Sequence, residues 1–171
     1  MSQVNGVVIA LVTNVNDPNH QGRIKVHFPW LAPNHETDWI RIATAMAGNG
    51  TGSFLMPNVE DEVLVAFEHG DARFPYVVGF MWNGKDHTPA EDVRERVIRS
   101  KNGHAVRFLD STPSGGSMGA IVIEDAHQNR ITLSNGKIVI KATGVLELEA
   151  PTVVIKGPGY RRVVVPNFNP I

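Results

Sequence analysis

The chain has 171 residues, a formal charge of −1 and 42% hydrophobic residues, which suits one or two globular domains and gives no basic surplus for nucleic acid. It contains no cysteine, so disulfides, thiolate metal sites and a cysteine nucleophile are excluded. Met1 to Gly6 lacks the basic and apolar regions of a signal peptide, and no apolar run is long enough to cross a bilayer, so synthesis and folding in a cytoplasm are expected.

The residue types divide near Gly84. Before it lie four Lys and Arg against eight Asp and Glu, and nine of the twelve aromatic residues; after it the balance is twelve to nine. A compact core is expected in the first part and a thinner, aliphatic structure in the second.

Val4 to Val15 is rich in Val and Ile and runs into the turn formers Asn16-Asp17-Pro18-Asn19, which predicts strand, turn, strand. Arg23 to Phe28 alternates, with Ile24, Val26 and Phe28 on one face. Trp39 to Ala43 alternates again. Ala47 to Gly52 carries three glycines but neither the Lys-Ser/Thr of a phosphate loop nor a following helix, so an inter-strand loop is expected. Glu62 to Glu68 sets Val63, Val65 and Phe67 against Leu64 and Ala66, and a last strand lies near Tyr76 to Trp82. Five short strands in residues 1–84 predict a small closed barrel of the oligonucleotide/oligosaccharide-binding (OB) type in an all-β protein.

Residues 85–98 read as a charged connector. Thr88-Pro89-Ala90-Glu91 has the cap, proline and glutamate of a helix start, so a turn or two of helix is expected there. Gly103 to Phe108 and Gly119 to Glu124 predict further strands. From Asn129 to Lys156 an internal repeat follows, with the apolar pairs Ile131/Leu133, Ile138/Ile140, Leu146/Leu148 and Val153/Ile155 separated by turn formers or breaks. Side chains alternate across a strand, so each pair faces one way and Thr132, Val139, Glu147 and Val154 the other. Such a ladder has no opposite wall within one chain. A prism walled by several identical chains would bury all eight residues, stabilising by on the order of 10 to 20 kcal/mol per chain before entropy. An antiparallel meander packed on the rest of the chain is the alternative, and the scarcity of aromatics disfavours it.

Several residue types suggest chemistry less strongly. Glu60, Asp61, Glu62, Glu68 and Asp71 could supply an acid/base pair, but they fall at strand ends and turns, where solvated charges are usual. His27, His69 and His104 lack metal-ligand spacing. Trp30 and Trp39 could stack on bases or sugars, yet the acidic balance of that region argues against phosphate partners, and core or inter-protein packing is favoured. No catalytic, cofactor-binding or metal-binding residue is assigned.

Read in order, Asp17, Gly22-Arg23, Phe28-Pro29-Trp30, Trp39-Ile40-Arg41, Ala47-Gly48, Pro57, Glu62 to Phe67, Gly70-Asp71, Pro75, Gly79 and Trp82-Asn83 resemble the barrel domain of contractile-tail central spikes. That family includes phage baseplate assembly protein V, the VgrG proteins of type VI secretion and the spikes of phage-tail-like injection particles. Arg99 to His104 resembles its entry into a β-helix. The resemblance implies a structural, non-enzymatic homotrimer that caps the tail tube and pierces the target envelope, touching its membrane transiently. It implies a barrel seated on a separate hub protein, with residues 99–171 as an intertwined triangular β-helix whose core is the four apolar pairs. The spike would be assembled into a phage tail or injection particle after synthesis in a bacterial cytoplasm. Tyr160, Arg161, Arg162, Val163, Val165 and Phe168 would then receive a separate tip protein of the PAAR-repeat kind or close the end themselves. A lysozyme-like insert and a His-X-His metal tip, found in some members, have no counterpart here, and Glu60 stands where many relatives have glycine. An OB-fold glycan- or nucleic-acid-binding module with an oligomerising β tail is the alternative reading.

Overall fold

The computed structural model describes residues 3–31, 35–111 and 118–164, with the backbone alone over 160–164. They form two compact units, residues 1–88 and 89–171, and among the described residues there is no α-helix.

The first unit is built on β1 (Val7–Asn14), β2 (Lys25–His27), β3 (Arg41–Ile42), β6 (Glu62–Phe67) and β7 (Pro75–Met81), ordered β2-β1-β6-β7-β3. All neighbours are antiparallel except β3 and β7, which run parallel. The two outer strands meet through reciprocal hydrogen bonds between Ile24 and Ile40, at 3.0 and 2.8 Å, so the sheet closes on itself and leaves no free edge there. Alternation selects the interior: Ala10 and Val12, Ile24 and Val26, and Val63, Val65 and Phe67 all point inward. The predicted core exists, but it is aliphatic. Of the nine aromatics whose clustering suggested a core in this part, Phe28 and Phe67 are buried, while Trp30, Phe54, Phe74, Phe80 and Trp82 are exposed. A barrel this narrow is filled by Val and Ile, and larger rings are placed outside it.

The glycine-rich stretch is a hairpin, β4 (Ala47–Gly48) with β5 (Thr51–Gly52). Gly50 holds φ +69° in its turn, and a Cβ on Gly52 would fall 2.5 Å from the Met46 carbonyl oxygen, so both glycines have local reasons. Asp17 fastens the β1–β2 turn: its carboxylate accepts hydrogen bonds from the backbone N–H of Asn19, Gln21 and Arg23 and from the Arg23 guanidinium. That guanidinium holds the acid well below the usual carboxylate range.

The second unit is a meander of β8 (Glu95–Arg99), β9 (Ala105–Leu109), β10 (Ala120–Glu124), β11 (Arg130–Ser134) and β12 (Lys137–Lys141), each antiparallel to the next. A hairpin of β13 (Val153–Gly157) and β14 (Tyr160–Val164) follows. Two expectations are corrected. The helix start at Thr88 does not propagate: Asp92 instead closes its own turn, accepting from Arg94 N and, through its carbonyl, from Glu95 N, and the connector ends in β8. A short segment with few apolar residues cannot offset the cost of helix nucleation. The strand expected at Leu146 to Glu149 has no ladder partner among the described residues, and residues 143–150 are all exposed.

Candidate functional site

The five-stranded meander puts two different chemistries on its two faces. Because opposed residues in an antiparallel ladder share a face, the strand registers define rows across the sheet. One row is Ile98, Val106, Ile123, Ile131 and Ile140; the next is Arg96, Phe108, Ile121, Leu133 and Ile138. Nine of these ten side chains are apolar, and all but Val106 are among the exposed large hydrophobics apart from Arg96. Arg96 lies at the β8 end and pairs with Asp110.

The opposite face carries an ion lattice. Arg107 on β9 bridges Glu95 on β8 and Glu124 on β10, the latter at 3.0 Å, and Arg130 on β11 reaches Glu124 at 2.9 Å. The hydrogen bond that Arg107 donates to Glu95, together with the Glu95 and Glu124 charges, raises the Arg107 pKa above its ordinary value. Beneath these long side chains Ala105 and Val122 are buried. The charged face covers itself, and the apolar face is left open.

Among the residues expected to form an assembly core, Ile131, Leu133, Ile138 and Ile140 share the apolar face, with Ile131 opposite Ile140 and Leu133 opposite Ile138. Asn135 and Gly136, at φ +50° and +72°, make the tight hairpin turn that sets this register. Val153 and Ile155 lie in the separate β13–β14 hairpin, and Leu146 and Leu148 are exposed outside any strand. Tyr160, Arg161, Arg162 and Val163 are in β14, while Val165 and Phe168 lie outside the described residues. Sequence reasoning missed Ile98, Val106, Phe108, Ile121 and Ile123 as members of the face. The same apolar-x-apolar pairs were present on β9 and β10, but the polar loop between them breaks the seven-to-eight-residue spacing.

No chemistry gathers on the barrel. Asp61 accepts from Asn58 N at 2.7 Å, and Asp71 is chelated by the Arg73 guanidinium, which lowers its pKa to about 2. Trp30 is 56% exposed, and Trp39 is half-buried with the Lys25 ammonium 5.5 Å from its ring, so neither is part of the core. Both line an open cleft of about 710 Å³ that also contains Arg41, Arg73, Glu36 and Asp38, a mixed charge with no phosphate character. Among the described residues no group of three or more His, Cys, Asp or Glu side chains could hold a metal ion, and no helix is long and apolar enough to cross a membrane.

Comparison with known proteins adds what the barrel alone does not carry. Residues 8–82 match the model of the type VI secretion system/phage-baseplate injector OB domain. That match supports a likeness of these residues to the barrel domain of the contractile-tail spike family. The chain is similar to the type VI secretion system spike protein VgrG1a of Pseudomonas aeruginosa, 36% identical over 74 residues that cover 41% of this chain and 12% of that protein. It is 35% identical to spike protein VgrG3 of Vibrio cholerae serotype O1 over 95 residues, 51% of this chain and 9% of that protein. The actin cross-linking toxin VgrG1 of Vibrio cholerae is 30% identical over 110 residues, 58% of this chain and 10% of the toxin. The chain thus spans about a tenth of the length of the curated relatives it matches. The injector OB domain includes the closed barrel and ends just after β7, whereas the apolar sheet face lies beyond the matched segment.

Proposed function

We propose that this chain is the central spike of a contractile injection apparatus or phage tail baseplate, a passive structural part that acts as a homotrimer. The observation that carries the proposal is the nine-residue apolar face of the meander, open on one side of a sheet whose other side is sealed by charge. Three copies facing inward around an axis parallel to the β8-to-β12 direction would enclose that face as the dry centre of a prism. Each strand layer from β9 to β12 would contribute two apolar side chains per chain. The likeness of residues 8–82 to an injector OB domain supports placing the barrel against a hub protein at the tube. The distal residues 160–171 would carry or form the tip, with a PAAR-type protein as their partner. Force from the contracting tail would then pass along the prism to the envelope, with contact at the membrane only during penetration. Catalysis has no part in this reading, and neither a metal nor a cofactor is required for it.

The test is the solution mass. Light scattering on the purified chain is expected to give about three times 18.7 kDa, in a species that resists SDS and heat. A folded monomer would overturn the reading.

A further inference from the structure

On the barrel, the cleft between the β2–β3 and β6–β7 connections presents aromatic rings to solvent on a rigid base. Phe28-Pro29-Trp30-Leu31 is a β-turn closed by Leu31 N, which donates to the Phe28 carbonyl at 3.0 Å, with Pro29 at its second position. The buried Phe28 ring stands 5.8 Å from that of Trp30 and 5.9 Å from that of Phe67, so the core braces the indole from one side. On the β6–β7 connection Phe74 is held by its backbone, donating to the Asp71 carbonyl and accepting from Glu68 N, both at 3.0 Å. Trp30 and Phe74 are nevertheless exposed. Rings fixed in place and left open to water mark a surface made for contact.

The polar groups of the same cleft divide into fixed and free. Glu36 accepts from Thr13 Oγ1 at 2.7 Å and from Lys25 Nζ at 2.9 Å, and Arg73 is chelated by Asp71. Ile40 is buried, so Trp39 and Arg41 on either side of it turn outward. Neither the Asp38 carboxylate nor the Arg41 guanidinium has a hydrogen-bonding or ionic partner among the described residues. One free acceptor and one free donor therefore share the cleft with two open rings. The carboxylates of Glu36 and Asp38 balance the guanidiniums of Arg41 and Arg73, which leaves no net charge to attract an ion.

We propose that this cleft binds a neutral oligosaccharide of β-1,4-linked pyranoses, its sugar rings stacked on Trp30 and Phe74 and its hydroxyls bonded to Asp38 and Arg41. Such a chain is a flat ribbon whose C–H faces suit the negative face of an aromatic ring. Each hydroxyl both donates and accepts, so it serves a carboxylate and a guanidinium alike, whereas a phosphate would serve the arginine and repel Asp38. The centre of a protein interface is depleted in charge, and four charged side chains line this cleft. Its volume, about 710 Å³, falls within the roughly 300 to 1,000 Å³ over which proteins hold small ligands. With Glu36 held by Thr13 and Lys25, no second free carboxylate is available for hydrolysis, so the glycan is bound and not cleaved.

The test is titration calorimetry of the full chain with two neutral probes, cellohexaose and chitohexaose, beside a single-stranded oligothymidylate as the anionic comparison. The expected result is binding of at least one glycan with an affinity that is the same at low and high salt, because no charge is neutralised, and no heat from the oligonucleotide. Trp30→Ala is expected to weaken glycan binding about tenfold, the loss of one stacking contact. Trp82→Ala removes an exposed tryptophan that does not line the cleft and should leave the affinity unchanged. Both side chains are exposed, so neither replacement disturbs the core. Failure of both glycans to bind would overturn the inference and leave the cleft to protein packing. Glycan binding undiminished by Trp30→Ala would overturn the site, and oligonucleotide binding abolished by Trp30→Ala would overturn the neutral class. Cleavage of either probe would overturn binding without turnover. None of these outcomes depends on the solution mass, so the spike reading stands or falls separately.

Discussion

Replacing Ile123 by Asp places a carboxylate at the middle of the apolar face without touching the ion lattice behind it. Ile123 is still 47% exposed in the single chain, so enclosing the remainder stabilises by about 1 kcal/mol, roughly half the effect of fully burying an aliphatic side chain. Over nine such side chains and three copies the apolar gain is on the order of 30 kcal/mol, from which the cost of association must be subtracted. Three unpaired carboxylates in the dry centre would cost roughly 15 kcal/mol together, at several kcal/mol each, enough to tip that balance. The matched control is Val139→Asp, since Val139, two strands away on β12, is 39% exposed but faces the other way. Light scattering is expected to show a monomer for Ile123→Asp and a trimer for both Val139→Asp and the parent. A full-mass trimer from Ile123→Asp with an unchanged thermal midpoint would refute the inward placement of this face.

Glu60 occupies a left-handed conformation at φ +76°, so Glu60→Gly is expected to raise stability by roughly 0.5 kcal/mol in urea denaturation, the relieved strain exceeding the added chain entropy. Arg107→Ala leaves Glu95 without its cation and Glu124 with one of two, and should lower the unfolding free energy by about 2 kcal/mol, discounted for partial exposure; calorimetry would register it. Asp17 has a depressed pKa in the folded barrel, so its contribution is complete above about pH 4, the unfolded value, and is lost as pH falls through the folded one. Asp17→Asn should therefore lower the denaturation midpoint at pH 7 and flatten its decline below pH 4.

How much the sequence disclosed depends on which contacts a residue answers to. Val63, Val65 and Phe67 alternate because one barrel interior receives them, and that period is visible in six residues. The ordered residues from Asp17 to Asn83 carried the spike-family resemblance, which the injector OB domain match over residues 8–82 bears out. Closure of the barrel through Ile24 and Ile40 was not legible, because it joins segments whose pairing is decided by the curl of the whole sheet. The clustering of aromatics pointed to a core in the first part but not to its lining, since composition does not say which side of a strand a ring such as Trp30, Phe54 or Trp82 occupies. β8 was hidden by its own charges: Glu95 and Arg96 look solvated until Arg107 and Asp110, more than ten residues away, are brought beside them. On the apolar face, Ile131, Leu133, Ile138 and Ile140 were legible through their repeat, and Phe108 and Ile121 were not, because that repeat is interrupted before them.

The two faces of the meander also order the steps of assembly. A sheet with one uniformly aliphatic face has little in that face to fix register, because a shift of two residues still pairs apolar with apolar. The lattice behind it is less tolerant. Moving β9 by two residues against both neighbours takes Arg107 away from Glu95 in one direction and away from Glu124 in the other, so one of its two contacts is always lost. Register is therefore set inside each chain, by directional charge pairs and by the Asn135-Gly136 turn, before any partner is met. In the proposed trimer, association of three such walls would then have only to bury a surface already in phase.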